Sequence, residues 1–169
     1  RDPFGPALSS NFKDYHANPK NGDLRIHLNI GTRRETAWVS RHYVTKSEHL
    51  IDAWKVLIPK AGSGREREKS GVDLVLGPPL VAAPGAVCSL TYVVAGPLSS
   101  EDQAKSVHAY LRTKFARFLV SLRKISQDAP RGVYGFVPQQ DWNESWTDEK
   151  LYRKYGLSED EIAFIESMI

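Results

Sequence analysis

The sequence predicts an α/β (α+β) domain: a mixed sheet packed on one long central helix at about 100–126, with two short helices at its C-terminal end. Three observations carry this expectation. Between Ser99 and Gln127, Ala104, Val107, Leu111, Phe115, Phe118, Leu122 and Ile125 recur at spacings of three and four, which sets them on one face of an α-helix. Three apolar segments, Leu24 to Ile30, Ala53 to Pro59 and Val87 to Ala95, have the length and β-branched content of strands. The last of these meets Gly96-Pro97 and then the helix, a strand–turn–helix unit.

In chain order, residues 1–23 carry early prolines and turn chemistry at Asn18-Pro19 and Asn21-Gly22-Asp23. Leu24 to Ile30 alternates apolar and polar residues, as a half-buried strand does, and Thr36 to Val39 is its expected partner. A short helix is expected from Ser47 to Asp52, then the Ala53 to Pro59 strand. Lys60 to Gly71 is glycine-rich and charged without apolar periodicity, the pattern of an exposed loop. Val72 to Leu76 is a candidate short strand and Val87 to Ala95 a buried one.

The long helix is expected to open at Ser99 or Ser100 with Asp102 or Gln103 closing a capping box, and to stop before Asp128, Pro130 and Gly132. On a continuous helix Lys105, Arg112 and Arg123 line one flank of the apolar stripe, and Lys114, Arg117 and Lys124 lie towards the other. Val133 to Val137 is expected as a last strand. Helices follow at Thr147 to Tyr155, closed by Gly156, and from Ser158, opened by the box Ser158-x-x-Glu161.

At 169 residues the chain is long enough for one domain with a substantial core, and we read residues 1–169 as a single unit. No apolar run approaches the length of a membrane span, and the composition is that of an ordinary globular protein. The net charge of +3 is small, yet eight acids fall after residue 140, which leaves the earlier part more basic than the total. That asymmetry points to an anionic partner. A lone cysteine, Cys88, excludes an internal disulfide and a CxxC metal site and fits a reducing cytoplasmic setting. With Arg1 first and Met168 the only methionine, the expectation is a piece cut from a longer protein.

Chemistry is sparse. The five histidines form no HxxxH or HxH pair, so no metal site is expected. Ser89 and Ser63 lack a GxSxG elbow, and Gly62-Ser63-Gly64 lacks the GxxxxGK[ST] pattern of a P-loop. Asp148-Glu149-Lys150 resembles a nuclease acid step but sits where a helix N-terminus attracts acids. Trp54, Trp142 and Trp146 are expected in the core. What remains is a set suited to nucleic acid: Lys60, Ser63, Arg65 and Arg67 for phosphate. Arg33, Arg34, Arg131, Gln139 and Gln140 are further contacts, since Arg pairs guanine edges and Gln pairs adenine.

Four stretches together resemble a known family: Lys55 to Gly64, Tyr110 to Lys124, Tyr134 to Asp141, and Trp146 to Gly156. They are similar, in matching order, to the C-terminal region of bacterial type II restriction-modification adenine methyltransferases, and the likeness runs from Ser10 to Ile169. Ala116 departs from it, where an aromatic is expected. The resemblance implies a target-recognition domain that contacts double-stranded DNA and works beside a methyltransferase catalytic domain of the same parent chain. The S-adenosylmethionine site and the (Asn/Asp)-Pro-Pro-(Tyr/Phe) motif belong to that other domain. Gly77-Pro78-Pro79-Leu80 has the prolines but neither flanking group, so no catalytic residue and no cofactor site is expected here. The competing expectation is an interaction domain that packs against the methyltransferase or a nuclease and touches DNA little.

Overall fold

The structure is a computed structural model, and it describes residues 2–30, 33–61, 75–126 and 128–169. Among these are two three-stranded sheets and four α-helices, so the mixed α+β class holds. The first sheet has the order β2 (Arg33–Ser40), β1 (Asp23–Ile30), β5 (Ala86–Cys88); the second has β4 (Leu80–Ala82), β3 (Trp54–Pro59), β6 (Tyr92–Leu98). All pairs are antiparallel except β1 with β5.

The alternation in β1 works as expected: Leu24, Ile26 and Leu28 are buried and Arg25 points to solvent. They share one core with Val39 of β2, Val87 of β5, Leu57 of β3 and Tyr92 of β6, so the two sheets close over a common interior. The N-terminal segment completes it with Phe4 and Leu8. Strand β3 is buried on both sides. Leu57 faces that interior, while Val56 and Ile58 pack with Ala104, Val107 and Leu111 of helix α1 (Glu101–Arg112). At the β6 bulge beside β3, Gly96 has φ +156° and a Cβ there would lie 3.1 Å from the Lys55 Cβ, so only glycine fits the crossing.

The long helix divides. Helix α1 stops at Arg112, Thr113 is extended (φ −63°, ψ 151°), and helix α2 (Lys114–Ser121) starts immediately. Thr113 is at once the end of one helix and the N-cap of the next: its hydroxyl accepts from the Ala116 N–H and donates to the Tyr110 carbonyl. The two N–H groups that open α2, of Lys114 and Phe115, are both taken by the Asp148 carboxylate at 3.1 and 2.8 Å. A carboxylate brought from 33 residues away therefore stabilises the break. Leu122 and Ile125, which the periodicity counts as buried, are 56% and 100% exposed, because the helix ends at Ser121.

Four other expectations are revised. Val87 to Ala95 is two strands in different sheets, separated by a turn at Ser89 to Thr91 in which the Tyr92 N–H donates to the Ser89 carbonyl. Val133 to Val137 is no strand: Arg131–Phe136 forms a 3-10 helix between Pro130 and Pro138. Its apolar residues do not alternate, and its N–H groups find carbonyls three residues back, as Val133 does at Pro130. The short helix near Ser47 is a single 3-10 turn, Glu48–Leu50. Of the strand expected at Val72 to Leu76, residues 72–74 lie outside the described residues; Val75 and Leu76 are buried and belong to no strand.

The C-terminal helices match their signals. Helix α3 (Asp148–Tyr155) is capped by Thr147 and closed by Gly156 in the left-handed conformation, φ +63°. Helix α4 (Glu159–Met168) has the complete Ser158/Glu161 capping box. With α2 they enclose a second core of Tyr110, Phe115, Ala116, Trp146, Leu151, Tyr152 and Ile165. No helix of the described residues is long and apolar enough to cross a membrane.

Candidate nucleic-acid interface

The β1–β2 hairpin outruns its core. Residues Arg33 to Thr36 are exposed, whereas Ala37 and Val39 further along the same strand are buried. The cross-strand partners Ile30↔Arg33 and Asn29↔Arg34 thus carry two guanidiniums at the projecting end. Arg34 stands close to the Tyr92 phenol, which donates to Asn29 Oδ1 at 2.9 Å. Burial pushes this phenol up to about 12, with the Arg34 charge pulling the other way.

Tyr92 opens β6 directly opposite Pro59, the last residue of β3. Lys60 follows, its N–H donating to the Thr91 carbonyl at 2.8 Å. The Lys60 carbonyl in turn accepts from the Ala129 N–H at 2.6 Å, and Ala61 bridges Asp128. Arg131, exposed, begins the 3-10 helix two residues after Ala129. The chain therefore brings Arg33, Arg34, Lys60 and Arg131, from three distant segments, to one end of the two sheets. Among the described residues no carboxylate lies within 4 Å of the guanidiniums of Arg33, Arg34 or Arg131.

The other expected contacts divide. Ser63, Arg65 and Arg67 lie outside the described residues. Gln139 is exposed at the start of the C-terminal unit. Gln140 is not available to a base: it is buried, its Nε2 donates to the Tyr155 hydroxyl at 2.9 Å, and its Oε1 accepts from Lys154 Nζ at 2.7 Å. Its amide is committed to joining α3 to the loop before it. The tryptophans behave as core residues; Trp146 is buried with its Nε1–H on the Asp141 carbonyl, and Trp142 packs against Tyr110 with the rings tilted, centroids 5.5 Å apart.

Two basic residues were visible in the sequence but not as a site. Helix α1 ends beside Gly77-Pro78-Pro79, and there Leu76, Pro78, Pro79, Leu111, Arg112 and Arg117 line an open cleft of about 170 Å³. A continuous helix would set Arg112 and Arg117 about 140° apart around its axis. The break at Thr113 brings them to the same cleft. Burial holds Arg117 below its ordinary value; the Asp148 charge opposes this and the Arg112 charge reinforces it. Arg117 Nε donates to the Thr113 carbonyl at 3.3 Å, and neither guanidinium has a carboxylate within 4 Å among the described residues. His108, one turn before Arg112, is held below its ordinary value by burial and by Arg112, against the pull of a hydrogen bond to the Pro79 backbone. The signal that marks this place in the sequence is Thr113 itself, an N-cap residue within an apparently continuous helix.

Gly77 ties the two basic regions together, since a Cβ there would lie 3.0 Å from the Pro59 ring and 3.2 Å from the Ala61 carbonyl. The remaining basic side chains of the helix flank are engaged within the fold. Lys114 pairs with Glu166, Lys124 donates to the Val75 carbonyl, and Arg123 lies 4.9 Å over the Phe136 ring. Among the described residues no group of three or more His, Cys, Asp or Glu side chains is placed to hold a metal ion.

Comparison of this chain with protein-family models, with curated proteins and with solved structures finds no match in any of the three.

Proposed function

We propose that the chain is a DNA-contacting target-recognition domain of a restriction-modification adenine methyltransferase, acting in the cytoplasm, with its end of Arg33, Arg34, Lys60 and Arg131 against the phosphates of a duplex. The observation that carries the reading is the convergence of these side chains from separate segments, with the three guanidiniums unpaired by carboxylates among the described residues. Backbone phosphates attract such a set without regard to sequence, and base edges are read by side chains that the phosphates position. Catalysis and S-adenosylmethionine belong, in this reading, to another domain of the parent protein; this region is not itself an enzyme.

The test is fluorescence anisotropy of a labelled mixed-sequence duplex, with unlabelled single strand as competitor. The reading expects binding that weakens as salt rises and a duplex preferred over the single strand. Absence of duplex binding at low salt would sink it. That result would favour the second reading, an interaction domain, for which helix α4 gives a specific reason: Phe164 and Met168 are 55% and 53% exposed on a helix whose first turn is Glu159, Asp160 and Glu161.

A further inference from the structure

We infer that the cleft between Pro78-Pro79 and the α1–α2 break seats one sugar–phosphate unit of the DNA backbone, with Arg112 and Arg117 sharing a single phosphate and Pro78, Pro79 and Leu111 packing on the deoxyribose. The identification of DNA as the source of this unit rests on the function proposed above; the cleft is separate from the Arg33/Arg34/Lys60/Arg131 end on which that function stands.

The cleft has two chemically different walls. Leu76, Pro78, Pro79 and Leu111 supply apolar lining, and Arg112 and Arg117 supply the charged part. The two charges act on each other, and the Asp148 carboxylate, which also acts on Arg117, is itself bound to the Lys114 and Phe115 N–H groups. Neither guanidinium has a carboxylate within 4 Å among the described residues, so both keep N–H donors for a phosphate, which accepts from several at once. The site is pre-shaped. Arg117 is half-buried with its Nε fixed on the Thr113 carbonyl, which leaves its terminal nitrogens as donors, and Arg112 sits at the last turn of α1. Two prolines at the opposite wall offer flat apolar surface that needs little ordering on binding. At about 170 Å³ the cleft accepts a phosphate and a sugar ring and excludes a base pair, so its contribution is to position the duplex without reading sequence.

The experiment uses the whole chain in two arms. In the first, the salt dependence of duplex binding is compared between the wild type and the Arg112→Gln/Arg117→Gln double variant, with thermal melting to show that the variant is folded. Because both arginines share one phosphate, the log–log slope is expected to fall by about 0.9, the value for a single phosphate, and not by twice that. Arg117→Lys keeps the charge and loses the fork, so it is expected to retain the slope and weaken binding by about 3–10-fold. In the second arm, Arg Nε–H resonances of the wild type are followed by NMR as thymidine 5′-monophosphate or thymidine is added. The resonances of Arg112 and Arg117 are expected to move with the nucleotide and stay still with the nucleoside.

If the wild type binds duplex and the double variant does so with unchanged slope and affinity, the cleft assignment is wrong while the proposed function stands. If the wild type binds no duplex, the proposed function fails and the DNA assignment of the cleft fails with it; nucleotide-dependent shifts would then mark a free mononucleotide site instead. If the nucleotide leaves the two resonances unmoved and the double variant keeps the wild-type slope, the cleft is no phosphate seat.

Discussion

His27 lies on β1 with its neighbours Ile26 and Leu28 in the core, and burial lowers its imidazole to about 4, helped by the charges of Arg25 and Lys55. The unfolded ring titrates near 6.5, so between these values the unfolded chain holds a proton that the folded chain does not. Stability from this residue is therefore complete above pH 6.5 and is lost as pH falls towards 4. We expect the wild type to lose roughly 2 kcal/mol across that window, after allowance for partial exposure, and His27→Gln to lose distinctly less. Urea unfolding at several pH values checks this; parallel pH profiles for the two proteins would contradict it. Lys55 is the opposite case, a buried ammonium that burial lowers to about 8 and whose Nζ is satisfied by the carbonyls of Ile51, Ala53 and Ala83. It is a polar plug between the Glu48–Leu50 turn and the chain leading into β5, and its three partners explain why so costly a residue sits inside.

Among elements, the divided helix matters most. Periodicity reported a single apolar stripe from Ala104 to Ile125, because α1 and α2 each bury one face and the pattern continues across their junction. The break depends on Thr113, a local signal, and on Asp148, a partner supplied by folding. The second half of that information is absent from any local window, which is why the caps of α1, α3 and α4 could be read from sequence and the start of α2 could not. The same limit explains Val87 to Ala95, whose uniform apolar character hides a change of sheet at Ser89. It also explains the candidate site: Arg33, Arg34 and Arg131 were recognisable as exposed basic residues, but Gln140 looked equally polar until Lys154 and Tyr155 claimed its amide. Asp148→Ala should cost about 1–2 kcal/mol in denaturant unfolding, since it strips two N–H bonds from the α2 N-terminus. A loss below a few tenths of a kcal/mol would mean that Thr113 alone sustains the break.

Across the whole molecule, two sheets share one core, a helix covers the second sheet, and a C-terminal helical unit is attached through Tyr110, Phe115 and Asp148. This architecture brings Arg33, Arg34 and Arg131, all exposed, to one end, where the β1–β2 hairpin, the end of β3 and the Ala129 segment meet. Glu35 and Asp128 stand at this end as well, while Glu144, Glu149, Glu159, Asp160 and Glu161 belong to the C-terminal unit. A modest net charge of +3 is thus compatible with a local excess of positive charge, the quantity that matters for an anionic partner. The most direct test is the salt dependence of duplex binding by the wild type and by an Arg33→Ala/Arg34→Ala/Lys60→Ala variant. The wild type is expected to show a negative log–log slope and the variant a slope shallower by about 2 to 3, as three phosphate contacts are removed. An unchanged slope in a folded variant would contradict this, and would show that this end of the molecule does not face DNA.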